Sequence, residues 1–278
     1  GCTGTQTVAI AEWDSIRVNV AFILPSCNGV ADGQAAVNQV MGGAGNMSFD
    51  NYSFFWNIPG TGDTIYVNGL AGNRTYVLTV TDQTGCSAVF SYELDDAPPV
   101  LPVVQATDIT CFGLENGGVR VVSIQSPQPI TQYRWNNGSL GQALNNLPAG
   151  TYTVTATSTL GCTGTATTTI NEPPQLLVGL SFQAIVCNND SNGVALVNPQ
   201  GGVPGYTVAW NTGATSSSIS GLGPGLYAVT VTDKNGCTAA DSVALSQPNS
   251  PVLAVEIRNP SCFGQRNGSA SISVSGGT

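Results

Sequence analysis

Histidine is absent from this chain, lysine occurs once (Lys234), and charged residues make up 8% of the composition. Without imidazole no nucleophilic triad of the Ser-His-Asp kind can be assembled. No CxxC pair occurs either, so a zinc site lacks both of its usual ligand sources. Basic residues number 7 against 16 acids, for a net charge of −9. That balance excludes a nucleic-acid footprint and gives no attraction to anionic membrane surfaces. A P-loop, a dinucleotide fingerprint, a zincin helix, a signal peptide and a membrane-spanning run are likewise missing. The acids are scattered over turns and linkers and do not form the paired constellation of a glycosidase. A lone lysine in an exposed turn offers no isopeptide crosslink. We expect a non-enzymatic segment with no metal, no cofactor and no membrane insertion.

Eight cysteines are present, and they are spaced regularly. A Gly-Cys pair is followed by another cysteine 25 positions later at Cys2–Cys27, Cys86–Cys111, Cys162–Cys187 and Cys237–Cys262. Even cysteine usage without metal-ligand spacing favours disulfides and an oxidising, extracellular setting. Other landmarks recur with the cysteines. A cysteine and an Asn-Gly open each unit, as in Cys111–Gly117, Cys187–Gly193 and Cys262–Gly268. An alternating run and a Gly-Gly follow, then a strand ending near a tryptophan (Trp56, Trp135, Trp210). A Leu-x-x-Gly-x-Tyr segment then leads to Tyr76, Tyr152 or Tyr227, and a hairpin closes on Gly-Cys. A fixed interval across the joints, with variable length inside the units, is the pattern of a tandem array.

Period-2 alternation and frequent turn residues predict all-β structure. Seven short strands, a core tryptophan on the third and a tyrosine opening the sixth predict immunoglobulin-like (PKD-like) β-sandwiches with tyrosine corners. The expected organisation is a closing strand of one repeat over 1–13, repeats over 14–97, 98–173 and 174–249, and the start of another over 250–278. This makes the chain an excerpt of a longer one. Proline at 98–99, 173–174, 248 and 251 marks stiff joints, which predicts an extended rod. The first repeat carries an aromatic insertion around 42–55, expected mainly to pack on its own domain. Asp95 and Asp96 beside a joint are candidate calcium ligands, although solvated linker residues are the simpler reading.

Taken together, these motifs resemble the SprB repeat family of Bacteroidota surface proteins. The shared pattern is C-x-G-x-x-N-G, G-G-x-P-x-Y, W-x-x-G, L-x-x-G-x-Y and V-T-D-x-x-G-C, with its clearest copy over Cys187–Cys237. The second repeat departs, with Ser158 at the aspartate of the last motif and Ser126–Pro129 for the Gly-Gly bend. The resemblance implies a structural and adhesive segment of a very long secreted filament of the gliding-motility type, exported by type IX secretion. Its implied partners are neighbouring repeats, surface polysaccharide and the motility machinery. It also implies O-glycosylation at Asp-Ser/Thr motifs, which places candidate sites at Ser15, Thr64 and Ser242. The alternative is a spacer within a carbohydrate-binding or enzyme-bearing surface protein.

Three pairings of the cysteines are open. In a seven-strand sandwich the first cysteine of a repeat and its Gly-Cys lie at opposite poles. A disulfide requires Cα atoms about 4.4–6.8 Å apart. Bonds between successive repeats, Cys27–Cys162 and Cys111–Cys237, are therefore preferred. Bonds within repeats (Cys27–Cys86, Cys111–Cys162, Cys187–Cys237) are the alternative. Bonds across the 25-residue interval would need the linker to double back.

Overall fold

In the computed structural model, residues 12–44 and 48–277 are described. Residues 1–11, with most of the expected strand over 1–13 and with Cys2, lie outside the described residues.

Strands follow one another with a recurring order. The first set is β1 (Arg17–Ile23), β2 (Gly33–Met41), β3 (Tyr52–Trp56), β4 (Tyr66–Leu70), β5 (Arg74–Asp82) and β6 (Ser87–Leu94). Its sheets are β1-β2-β4 and β3-β5-β6. In immunoglobulin lettering these are A-B-E and C-F-G, and that order makes the fold immunoglobulin-like. The second set is β7 (Leu101–Thr107), β8 (Gly117–Gln125), β9 (Ile130–Trp135), β10 (Ala143–Leu147), β11 (Gly150–Ser158) and β12 (Thr163–Ile170). The third is β13 (Leu180–Gln183), β14 (Gly193–Val197), β15 (Thr207–Trp210), β16 (Ser218–Leu222), β17 (Gly225–Thr232) and β18 (Thr238–Leu245). Both repeat the two three-stranded sheets. A hairpin of β19 (Val252–Arg258) and β20 (Ser269–Ser275) completes the order.

Among the described residues each set has six strands, not the seven the sequence suggests, because strand D is missing. Too few residues separate the end of C from the start of E for an extra strand and its two turns. The tryptophan spans the short connection instead. The indole N–H of Trp56 donates to Thr64 O at 3.2 Å, that of Trp135 to Gly141 O at 2.9 Å, and that of Trp210 to Ser216 O at 2.9 Å. The recurring tyrosine (Tyr76, Tyr152, Tyr227) consequently lies on the fifth strand of each set.

The chain divides into two compact units, one of 1–105, 119–144 and 152–168, the other of 106–118, 145–151 and 169–278. In the first unit, alternation buries one face of β2, β3 and β5 and half-buries one face of β1 and β6. Val37, Val40, Phe54, Trp56, Leu78 and Val80 form a closed core between the two sheets. The insertion belongs to this core: Tyr52 and Phe54 are buried, and the Tyr52 hydroxyl donates to Gly42 O. In the second unit Ala195, Val197, Trp210, Val229, Val231 and Leu245 form the equivalent core. The hairpin β19–β20 is exposed along both strands.

The Asn-Gly at the start of strand B is not itself the turn. The turn begins at the cysteine, with Val30 N–H donating to Cys27 O at 3.1 Å and Leu114 N–H to Cys111 O at 3.2 Å. Its left-handed position is Gly29, Gly113 or Asn189 (φ 76°, 75° and 63°). Gly33, Gly117 and Gly193 are needed for close packing instead. A Cβ on Gly193 would lie 2.7 Å from the Leu245 side chain and 2.9 Å from Leu222 O.

Candidate functional site: the disulfide-clamped joints

The site is built from two loops, the A–B loop of one repeat and the F–G turn of the next. The A–B loop is braced by the residue before its Gly. Asn116 accepts the Thr110 N–H at 3.2 Å and donates to the Thr110 hydroxyl at 2.7 Å. Asn192 accepts Val186 N–H at 3.2 Å. In the first repeat Asp32 takes this place and accepts both the N–H and the hydroxyl of Ser26, whose side chain and then backbone hold its pKa below the ordinary value. An Asx side chain closing its own loop is a common substitute for backbone pairing.

The residue ten positions after each Gly-Cys cysteine ties that loop to the linker. Asp96 accepts Gly29 N–H at 2.9 Å, Glu172 accepts Gly113 N–H at 3.0 Å, and Gln247 accepts Asn189 N–H at 3.0 Å. Asp96 thus receives a loop amide at the first joint. Among the described residues no group of three or more Asp, Glu, Cys or His gathers to hold a metal ion. Glutamine at the third position keeps the acceptor without the charge, which fits hydrogen bonding better than cation binding.

The F–G turn is organised by a buried aspartate. Asp233 accepts the N–H groups of Asn235 and Cys237 at 2.9 Å each on one oxygen, and that of Val203 at 2.8 Å on the other. Asp82 is arranged likewise, accepting Thr84 N–H at 2.9 Å, Cys86 N–H at 3.0 Å and Ala44 N–H at 2.9 Å. Three amide donors stabilise the carboxylate. The Ala44 N–H and the Thr84 hydroxyl lead in holding Asp82 down to about 2, while the Val203 N–H leads in lowering Asp233. Burial, then the nearby Asp82 charge, raises the Tyr52 phenol. In the second repeat Ser158 replaces the aspartate, and its hydroxyl accepts Cys162 N–H at 3.2 Å.

These loops present the cysteines. In the first unit Cys27 is bonded to Cys162, with Cα atoms 5.3 Å apart. In the second unit Cys111 is bonded to Cys237 at a Cα separation of 5.6 Å. Beside the latter, the Asn235 side chain donates to Thr110 O at 2.9 Å. Among the described residues the within-repeat pairs Cys27–Cys86, Cys111–Cys162 and Cys187–Cys237 are absent, and so are the pairs across the linkers. Geometry explains this. Gly33, at the end of the loop holding Cys27, packs against Leu94 at the far end of β6, whereas Cys86 precedes its first residue. That strand spans roughly 25 Å. Cys86, Cys187 and Cys262 are exposed thiols.

Both joints have a groove beside the bond. The first holds about 200 Å³ between Cys27, Pro99, Val100 and Cys162; the second holds about 680 Å³ between Cys111, Pro174, Leu176 and Thr238. The two joints also differ at one position of strand G. At Gly164 a Cβ would stand 1.8 Å from Val100 O, so the residue just before β7 lies directly on strand G. The equivalent residue of the third repeat is Ala239. There the chain instead approaches Gly201, where a Cβ would be 1.9 Å from Gln175 O, and Leu177 bridges to Gln200.

The other sequence candidates are placed as follows. Trp56, Trp135 and Trp210 are buried, as are Tyr76 and Tyr152, while Tyr227 is partly buried. The Tyr76 hydroxyl donates to Ala71 O at 2.9 Å and accepts Ala71 N–H at 2.8 Å; that of Tyr227 donates to Gly223 O at 3.1 Å. Ser15 and Ser242 are exposed. The Thr64 hydroxyl is engaged, donating to Tyr66 O at 2.8 Å. Sequence reasoning missed the linker acceptors and a second tyrosine bond, from Tyr206 to Gly201 O at 2.6 Å. The signal for the latter was the Gly-Gly-x-Pro-x-Tyr motif itself.

Among solved structures, the chain is similar to an eight-domain fragment of Down syndrome cell adhesion molecule at 13% identity, covering 89% of this chain and 38% of that one (TM-score 0.33). It is similar to titin domains I67–I69 at 13% identity, covering 84% and 98% (TM-score 0.35). A third similarity is to the Bacteroides ovatus mixed-linkage glucan utilization locus protein SGBP-B, at 12% identity, covering 92% and 77% (TM-score 0.19). No curated protein matches the chain. The SprB repeat model matches residues 181–215 and 254–278. The first match runs from strand A to just past the tryptophan of strand C, and the second covers the β19–β20 hairpin. Over those two stretches the chain matches the SprB repeat model, on an immunoglobulin-like, all-β framework.

Proposed function

We propose that this chain is a structural and adhesive segment of a secreted cell-surface filament, with repeats over 14–97, 98–173 and 174–249 serving as its stalk. The observation that carries this reading is the pair of bonds Cys27–Cys162 and Cys111–Cys237, each joining the A–B loop of one repeat to the F–G turn of the next. Clamping successive domains suits a part that must transmit load, and disulfides suit an extracellular setting. The SprB resemblance extends the proposal to a gliding-motility adhesin of a Bacteroidota cell, exported by type IX secretion and engaging surface polysaccharide or the motility machinery. O-glycans are proposed at Ser15 and Ser242 ahead of Thr64, whose hydroxyl would have to give up its bond to Tyr66 O.

Antibodies raised against this segment, applied to intact source cells, test the reading. Labelling of unbroken cells, lost on brief protease treatment of the surface, is expected; labelling only after lysis would overturn it. A glycan array of the same segment checks the spacer alternative. The tryptophans of strands C are buried and offer no stacking platform, so no saccharide-specific binding is expected. Tight, specific binding would move the function from stalk to carbohydrate recognition.

A further inference from the structure

The two disulfides interleave along the chain: Cys27 bonds to Cys162 and Cys111 to Cys237, so each closed loop contains one end of the other. Each joint is then crossed twice by covalent bonds, once by its Pro-containing linker and once by sulfur. We infer that this arrangement gives the segment a further, mechanical function as an extension limiter, a tether whose maximum length is set covalently even when its domains unfold. The inference needs no adhesive activity: it shares with the function proposed above only the two bonds, and the labelling of cells and the extension of the chain are read independently.

The limit follows from connectivity. A chain pulled taut extends no further than its shortest covalent path. Between Cys27 and Cys237 that path crosses the first disulfide to Cys162, returns along the backbone to Cys111, and crosses the second disulfide. It contains roughly 50 residues, against roughly 210 with both bonds removed, or about 175 Å against about 715 Å at 3.4 Å per residue. Losing one bond releases little, because the other still bypasses most of the chain. Without Cys27–Cys162 the path is residues 27–111, and without Cys111–Cys237 it is residues 162–237.

Non-additivity is the signature. The full chain, with exposed thiols alkylated and handles at both termini, would be stretched to full extension in single-molecule force spectroscopy. Lengths outside Cys27–Cys237 cancel between variants. Relative to the unsubstituted chain, Cys27→Ser is expected to lengthen the final contour by about 110 Å and Cys111→Ser by about 80 Å. The double variant is expected to add about 540 Å, far more than their sum. Bonds confined to single repeats would give increments that add, about 200 Å and about 175 Å singly and about 375 Å together. Additive increments, or no change in either single variant, would overturn the inference. Extension is read after complete unfolding, so a variant of lowered stability still reports, and a non-reducing peptide map selects the molecules in which the remaining disulfide is closed.

Discussion

Asp233 holds Cys237 in place: one carboxylate oxygen accepts the cysteine N–H at 2.9 Å, four residues along the same turn. Its other oxygen reaches Val203 in the B–C bend at 2.8 Å. One side chain therefore fixes the F–G turn, anchors it to the neighbouring loop and presents the sulfur that Cys111 meets. Substitution Asp233→Ala leaves three backbone donors without their acceptor, and such groups are costly when shielded from water. A Tm several degrees lower is expected, with slower formation of the Cys111–Cys237 bond during oxidative refolding. Calorimetry and timed alkylation would check both.

Acid should act on the same turns. The Asp82 carboxyl stands at about 2 in the folded chain, below its ordinary 3.8, because amide and hydroxyl donors favour the charged form. A depressed folded-state pKa contributes stability that is fully present above the unfolded value and lost as pH falls through the folded one. Stability of the first repeat should decline between about pH 4 and about pH 2, and Asp82→Asn should flatten that decline. The direction is the same at Asp233. Ser158 cannot titrate, so its turn contributes nothing to the slope. Thermal unfolding across this pH range is the measurement.

Tyr76→Phe removes a hydroxyl that both donates to and accepts from Ala71. We expect a loss of about 1–3 kcal/mol, without change in the far-UV spectrum, read from urea unfolding. Ala71 would keep its position only if water replaced the phenol oxygen.

Gly164→Ala would place a methyl group 1.8 Å from Val100 O. The start of the repeat must then move off strand G, with a cost of about 1–3 kcal/mol from overpacking. Ala239→Gly, at the equivalent place in the third repeat, removes a methyl group where Gly164→Ala adds one to occupied space, and should cost less, about 0.5–1 kcal/mol. Denaturant titration of the two variants provides the comparison.

Alkylation of the native chain should modify Cys86, Cys187 and Cys262 and spare Cys27, Cys111, Cys162 and Cys237. Non-reducing peptide maps should then show crosslinks joining Cys27 to Cys162 and Cys111 to Cys237. Removing either bond should cost about 2–5 kcal/mol, since each closes a loop of more than a hundred residues.

Much of the fold is legible in the linear pattern. Alternation along Tyr76–Val80 and Tyr227–Val231 specifies a half-buried strand because side chains on a strand point to opposite faces. The tryptophan ending strand C and the tyrosine five residues after Ala71 are local signals, readable without knowing the rest of the chain. Strand D was overcounted because the motif spacing says where a tryptophan lies but not what its indole N–H does. The shared role of Asp96, Glu172 and Gln247 was not legible because three different side chains hide one acceptor geometry.

The amino-acid sequence by itself determined the repeat, the all-β class and the constant stretch between each Gly-Cys and the cysteine that follows. These depend on periodicity and turn chemistry within a few residues. Only the tertiary structure decided which cysteines meet, which carboxylates accept amides and why Gly164 and Ala239 differ. Those outcomes depend on distances between segments far apart in the chain, such as Cys27 and Cys162, and such distances exist only once the sandwiches have formed.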